Sequence, residues 1–259
     1  MSLWESVLLG LLQGLTEFLP VSSSGHLVIA QSLIKNFSQP GVLFDAFLHL
    51  GTTFAVVYFF RKRVFSCDPH FWGIIALGTI PAGILGFLFS DQLEFLFSSP
   101  RAVALALLVT GGMNWMVDSK KLKVKPFGFA QGESEKLKVN AADSLFVGIL
   151  QAVALVPGIS RSGATIFAGV LRGLDKREAA AFSFLLSIPA IIGSFVLQIG
   201  KYRFDGGVDW VSYLVGAMVA GVVGYLTIGV VMKFLISKRF KVFAVYCFLV
   251  GLAVLIVTL

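Results

Sequence analysis

The sequence predicts an all-α polytopic membrane protein: six transmembrane helices, two re-entrant helix-loop-helix hairpins and an inverted-topology repeat. Three observations predict it. Of 259 residues, 57% are hydrophobic and only 14% charged, and the mean hydropathy is +0.88, far from the balance of a water-soluble domain. Apolar runs long enough to cross a bilayer recur along the chain. Two further runs are too short and break at proline into Ser/Gly-rich segments, Pro20 to His26 and Pro157 to Thr165. The 25 Phe and 27 Gly agree, because Phe is cheap in hydrocarbon and Gly lets helices approach closely.

A spanning helix needs about 20 apolar residues, whereas runs of roughly 10 to 14 more often belong to re-entrant segments. By that test the spans are Val42 to Phe60, Phe71 to Phe89, Ala102 to Val117, Ala179 to Ile199, Val211 to Ile236 and Val242 to Leu259. Ser6 to Leu19 and Leu145 to Val156 fall short, and each runs into proline and a polar cluster before a second short apolar piece. Irregular backbone survives at membrane depth only where protein buries it or it lines a cavity. The two hairpins therefore imply a cavity.

Basic residues orient the chain. Arg61 to Arg63, Lys120 to Lys138, Arg172 to Arg177 and Lys233 to Lys241 hold 16 of the 21 Lys and Arg, and the positive-inside rule puts all four clusters in the cytoplasm. Lys35, Arg101, Lys201 and Arg203 then lie outside, and Arg161 lies within the second hairpin. The first hairpin, about residues 1 to 36, enters from outside and the second, about 141 to 171, from the cytoplasm. Residues 1–117 form a first repeat of a hairpin plus three spans, 118–140 a cytoplasmic loop, and 141–259 a second, inverted repeat within one membrane domain. Leu12-Gln13 through Pro20 and Ser24-Gly25 echo Leu150-Gln151 through Pro157 and Ser162-Gly163, as expected of an inverted repeat. In the fifth span Gly216, Ala217, Ala220, Gly221 and Gly224 set small residues four apart, a packing face.

The net charge of +7 belongs to this topology, and its clusters between apolar runs do not make a nucleic-acid surface. Lys120 to Lys138 suits anionic lipid. Cys67 and Cys247 have neither disulfide nor metal-ligand spacing and read as structural. Met1 to Glu5 has no basic n-region and no cleavage site follows, so the N-terminus is expected to be retained. Lys35 and Tyr58 read as snorkelling or interfacial belt residues.

Gln13 and Glu17 stand four apart on a helix that Pro20 ends, so both face one way near its terminus. A carboxylate at membrane depth is either functional, as a general base or metal ligand, or an interfacial group in contact with water. Ser22, Ser23, Ser24 and Gly25 follow, then His26. One serine suffices as a helix cap; three beside a glycine at a helix N-terminus make an anion cradle, without the spacing or lysine of a P-loop. His26 can exchange a proton near neutral pH. In the second loop Ser160, Ser162, Gly163 and Thr165 surround Arg161, whose fork suits phosphate or carboxylate. Its partner is either Glu17, in a structural ion pair, or a bound phosphate, and the surrounding hydroxyls favour phosphate. Asp45 and His49, four apart in the first span, read equally as supports of the site or as an interfacial pair. A site of this kind flanked by apolar helices favours a lipid-linked phosphate.

LLQGLTEFLPVSSSGHL at Leu11 to Leu27 and VPGISRSGATI at Val156 to Ile166 closely resemble the two signature regions of the undecaprenyl-pyrophosphate phosphatase (bacitracin-resistance) family. FDAFLHLGTTFAV at Phe44 to Val56, the span count and the length fit as well. The resemblance implies a plasma-membrane enzyme that removes one phosphate from undecaprenyl pyrophosphate, recycling the cell-wall lipid carrier. It implies catalytic roles for Glu17, Ser23, His26 and Arg161, with Ser23 the nucleophile or its positioning hydroxyl and His26 its proton partner, while His26 itself or water as the attacking group stays open. Gln13, Ser22, Ser24, Gly25, Ser160, Ser162, Gly163 and Thr165 are then expected to bind substrate. It also implies a divalent cation, Mg2+ or Ca2+, though Gln13 cannot neutralise a metal as a carboxylate would, and the metal ligands stay unassigned. The expected partners are the prenyl pyrophosphate lipid and membrane lipids, with a homodimer left open and no nucleic acid. The competing function is a transporter or flippase of a polyprenyl phosphate or other anionic substrate, because broken helices in inverted repeats also build transporters.

Overall fold

The structure is a computed structural model that describes residues 1–35, 37–39, 42–66, 69–119, 139–202, 208–236 and 240–258. Among them every regular element is a helix: α1 (Leu3–Thr16), α2 (Ser23–Leu33), α3 (Leu43–Phe59), α4 (Arg61–Ser66), α5 (Pro69–Leu88), α6 (Ser90–Leu96), α7 (Pro100–Ser119), α8 (Ala141–Val153), α9 (Arg161–Leu171), α10 (Lys176–Lys201), α11 (Trp210–Ile236) and α12 (Phe240–Val257). The expectations placed on Cys67, Lys120 to Lys138, Arg203, Lys238 and Arg239 lie outside the described residues.

Four helices, α5, α10, α11 and α12, are long and apolar enough to cross a membrane. α6 and α7 together make a fifth candidate, bent by 94°. α3, with 17 residues, is apolar but shorter. Each of the six predicted spans thus corresponds to a helix, and the short runs before Pro20 and Pro157 became α1 and α8. Each short helix starts on a capped turn. Ser2 Oγ accepts from Glu5 N while Glu5 accepts from Ser2 N, and the Asn140 side chain accepts from Asp143 N, which satisfies donors a helix leaves free at its start.

Packing follows the small residues. α11 lies against α1 and α3, and α5 lies against α8 and α10. A methyl group added at Gly51 would sit 2.0 Å from the Ala217 carbonyl oxygen, and one at Gly148 would sit 2.2 Å from that of Gly78. Helix backbones come this close only where side chains are missing. The small residues of α11 therefore serve as the packing face the sequence predicts: Gly216 meets Phe44 and Leu48, and Gly14 packs on Ala220 and Gly224. Phe18, fully buried, meets Phe184 edge to face at 5.2 Å.

Ion pairs gather at the helix ends. Asp118 at the end of α7 pairs with Lys176 and accepts from Lys241 N, and Arg172 meets Asp143 at 2.7 Å. At the opposite helix ends Lys201 lies 2.6 Å from Asp91 and 3.6 Å from Glu94. The helix middles between them hold few charges, and those few converge.

Candidate active site

Glu17 caps the C-terminus of α1 and is buried, with 4% of its side chain exposed. Its two oxygens are divided between two loops. Ser23 Oγ donates to Oε2 at 2.5 Å, and Arg161 Nη2 donates to Oε1 at 2.6 Å. Gln13 Nε2, one turn back on α1, donates to Oε2 at 2.9 Å. His49 Nδ1 reaches in from α3, 3.1 Å from Oε2 and 2.8 Å from Gln13 Nε2. A single buried carboxylate thus gathers a hydroxyl, an amide, an imidazole and a guanidinium.

The two loops that deliver these groups are built alike. Ser22 caps α2 and accepts from Gly25 N, and its hydroxyl lies 3.3 Å from that of Ser24. Ser160 caps α9 and accepts from Gly163 N, and its hydroxyl lies 3.2 Å from that of Ser162. The residue after each cap, Ser23 or Arg161, opens its helix and reaches Glu17. Ser22 adopts φ 68, the left-handed region, and is the one non-glycine residue to do so among the described residues. Such backbone costs about 1–3 kcal/mol and persists only where surroundings hold it. The Ser22 carbonyl, turned by this strain, accepts from His26 Nδ1 at 2.7 Å.

Gly158 has φ +96, and a methyl group there would sit 2.5 Å from the Val103 carbonyl oxygen. Glycine is required on both counts. The loops also touch each other: a methyl group on Gly25 would lie 3.1 Å from Gly158 Cα.

α7 fixes both loops. Asn114 Nδ2 donates to the Pro20 carbonyl at 2.6 Å. Thr110 Oγ1, one turn earlier, donates to the Gly158 carbonyl at 2.9 Å and accepts from Ser160 N at 2.9 Å. Ser162 Oγ ties the second loop to the first through the Leu19 carbonyl at 3.0 Å, and buried Cys247 lies 3.8 Å from the Pro20 carbonyl. Both Thr110 and Asn114 are fully buried. They are absent from the sequence-predicted site, although two polar side chains four apart in the apolar run Ala102 to Val117 are the signal that would have found them.

Of the predicted site residues, Gln13, Glu17, Ser23 and Arg161 come together. His26 does not join them. Its Nδ1 faces a carbonyl, which can only accept, so Nδ1 carries the proton and Nε2 accepts from Tyr246 Oη at 2.7 Å, with the two rings stacked at 6°. In this arrangement neither ring nitrogen faces Ser23, and both are engaged by the loop and by α12. Thr165 Oγ1 donates to the Arg161 carbonyl at 2.7 Å and meets Ser183 Oγ at 2.6 Å, and Arg161 Nη1 donates to the Ser183 carbonyl at 3.0 Å. Thr165 and Ser183 therefore brace Arg161. The Arg161–Glu17 ion pair, one of the two partners the sequence leaves open, is present. It uses one of five guanidinium N–H donors, and the Ser183 carbonyl takes a second. The residue the sequence undervalued is His49, whose place against Glu17 depends on how α3 packs.

The donors at this centre do not form an all-protein cage for a divalent cation. Ca2+ takes about six to eight oxygen ligands, whereas Mg2+ is commonly held by one or two carboxylates with waters and substrate phosphates. Here one carboxylate has both oxygens engaged and an arginine at 2.6 Å, and no group of three His, Cys, Asp or Glu that could hold a metal occurs among the described residues.

Such an arrangement defines a polytopic membrane protein with a buried carboxylate–serine–arginine centre between two broken helices. The chain belongs to the bacitracin resistance protein BacA family, whose model matches residues 6–253. An undecaprenyl-diphosphatase of Methanobrevibacter smithii is 38% identical over 280 residues, covering 98% of this chain and 97% of the relative. One of Halothermothrix orenii is 38% identical over 265 residues, covering 99% and 98%. Undecaprenyl-diphosphatase 2 of Streptomyces avermitilis is 37% identical over 275 residues, covering 98% and 94%. The family is the one that the two loop motifs resemble.

Proposed function

We propose that this protein hydrolyses undecaprenyl pyrophosphate to undecaprenyl phosphate and inorganic phosphate, which recycles the lipid carrier for cell-wall synthesis and confers bacitracin resistance. The carrying observation is the Glu17 carboxylate shared by Ser23 and Arg161 across two facing helix N-termini. Helix N-termini and a guanidinium are the groups that stabilise charge on a phosphoryl oxygen. Phosphoryl transfer asks a protein for positioning and charge neutralisation above all. The relatives' names supply the substrate.

In this reading Ser23 Oγ attacks the terminal phosphorus and gives its proton to Glu17 Oε2. The bond between that phosphorus and the bridging oxygen breaks, and the prenyl phosphate leaves. Water then releases phosphate from the serine. Arg161 spans the pyrophosphate oxygens and Glu17, so charge is balanced at the reacting centre. A divalent cation, if used, would be held by the pyrophosphate oxygens and waters with Glu17 as the one carboxylate at hand, and would supply further charge neutralisation.

The finer architecture belongs to the same proposal: six spans, two re-entrant hairpins entering from opposite faces of the plasma membrane, and repeats at 1–117 and 141–259. Supporting it, the contact of α1 with α11 is matched by that of α8 with α5, and the contact of α3 with α11 by that of α10 with α5. The paired caps at Ser22 and Ser160 agree. An opening to the outer face is supported by a cavity of about 870 Å³ lined by Gln31, Asp45, Asp91, Glu94 and Lys201, at the helix ends assigned to the outside.

The test is phosphate release from purified protein in detergent, where no compartments exist. Wild type should release phosphate, and Glu17→Gln and Arg161→Ala should both lower it. Undiminished release in both variants removes the assigned site, and no release by wild type at any divalent-cation concentration favours the transporter reading.

A further inference from the structure

Glu17 has four side-chain partners, and they differ as carriers of a proton. The Gln13 amide and the Arg161 guanidinium do not titrate near neutral pH. Ser23 is the source of the proton in the hydrolytic reading. The remaining partner is His49, whose imidazole changes charge in that range. Its Nδ1 lies 3.1 Å from Oε2, the same oxygen that faces Ser23. It is also the most open of the three, with 24% of its side chain exposed against 4% for Glu17 and 17% for Arg161.

One turn along α3, Asp45 lines the cavity of about 870 Å³. Asp45 Oδ1 accepts from Gln31 Nε2 at 2.6 Å, whereas Oδ2 is buried without a hydrogen-bond partner among the described residues. A buried acceptor left open is the kind of group that holds an ordered water. His49 thus stands 3.1 Å from Oε2, and Asp45, one turn away on the same helix, lines the cavity. His26 is not so placed, because both its nitrogens are bonded to Ser22 and Tyr246.

We infer that His49 is the proton outlet of the site, accepting at Nδ1 the proton that Glu17 receives from Ser23 and releasing one from Nε2 toward Asp45 and the cavity. The inference rests on the hydrolytic reading above. One proton enters the ring and one leaves, so His49 begins and ends neutral with its tautomer exchanged. Gln13 moves with it: its Nε2 donates to Nδ1 before the transfer, and a turn of the amide brings Oε1, buried without a partner, onto the new N–H. The charged groups facing His49 are Glu17 on α1, Arg161 on α9 and Asp45 on α3. α10 and α11 carry charges only at their ends, Lys176 to Glu178, Lys201 and Lys233, with Tyr213 and Tyr225 as further titratable groups on α11.

The experiment compares wild type, His49→Gln and His49→Ala in detergent, each checked for a monodisperse elution peak, by phosphate release against pH and against added imidazole. Wild type should ignore imidazole. Both variants should lose about 10²-fold in kcat with KM little changed, and His49→Ala should regain rate in proportion to neutral imidazole. His49→Gln, which keeps a side chain able to hydrogen-bond Glu17, separates proton transfer from shape. A wild-type rate and pH profile in His49→Gln overturns the inference. So does a loss in His49→Ala that imidazole does not restore, which assigns His49 to holding Glu17 in place. Absence of release by wild type instead strikes the hydrolytic reading, and the inference falls with it.

Discussion

Ser23 and Arg161 occupy the same position, the first residue after a capping serine, in two helices far apart in the chain, and they grip the two oxygens of one carboxylate. Neither loop completes the centre alone. The chemistry proposed for the site depends on that shared grip, and each prediction below disturbs one part of it.

Glu17→Gln keeps the shape of the centre but removes the acceptor for the Ser23 proton and the counter-charge of Arg161. Phosphate release should fall by about 10²–10⁴-fold, the usual contribution of a positioned base. A steady-state assay alongside a thermal melt checks it, and a variant that melts normally but still turns over at the wild-type rate contradicts the assignment.

Arg161→Lys retains the charge and loses the fork. A lysine cannot reach Glu17 and the Ser183 carbonyl from one planar group, so the rate should drop at least about tenfold, the scale of one lost charge-assisted contact of 1.5 kcal/mol or more. Recovery of full activity in this variant would show that charge alone suffices.

Asn114→Ala and Thr110→Val act at a distance from Glu17. Each leaves buried backbone groups of the loops without partners, at a cost of about 1–3 kcal/mol. Both should lower Tm in detergent and lower activity. An unchanged Tm in both would mean that α7 does not hold the loops.

Gly158→Ala should abolish the folded second loop, since a side chain there meets the Val103 carbonyl oxygen at 2.5 Å in a left-handed conformation. The expected readout is little monodisperse protein on size-exclusion chromatography. A well-behaved, active Gly158→Ala protein would contradict the close approach described here.

What was legible in the sequence and what was not divides along range of contact. Proline and serine within short apolar runs announce α1, α2, α8 and α9 locally, because hydrocarbon forbids such breaks without a cavity. Glu17, Ser23 and Arg161 stood out as polar or charged groups at those breaks. Thr110, Asn114 and Tyr246 did not, since their partners lie in distant parts of the chain and only helix packing brings them together. His26 drew attention by residue type, and its contact with Tyr246 on a distant helix was not foreseeable. His49 looked ambiguous beside Asp45 because α3 serves both the carboxylate and the cavity.

The contact of Gly25 with Gly158 has a consequence for the cell as well as for the enzyme. The proposed topology carries polar loops into the bilayer from both faces, an arrangement that risks opening a wire for protons and ions. Where these two loops meet, a methyl group on Gly25 would lie 3.1 Å from Gly158 Cα, closer than ordinary van der Waals contact, so backbone lies against backbone at that point. In the proposed topology, that contact is a point at which the protein itself closes the way between the two faces of the membrane.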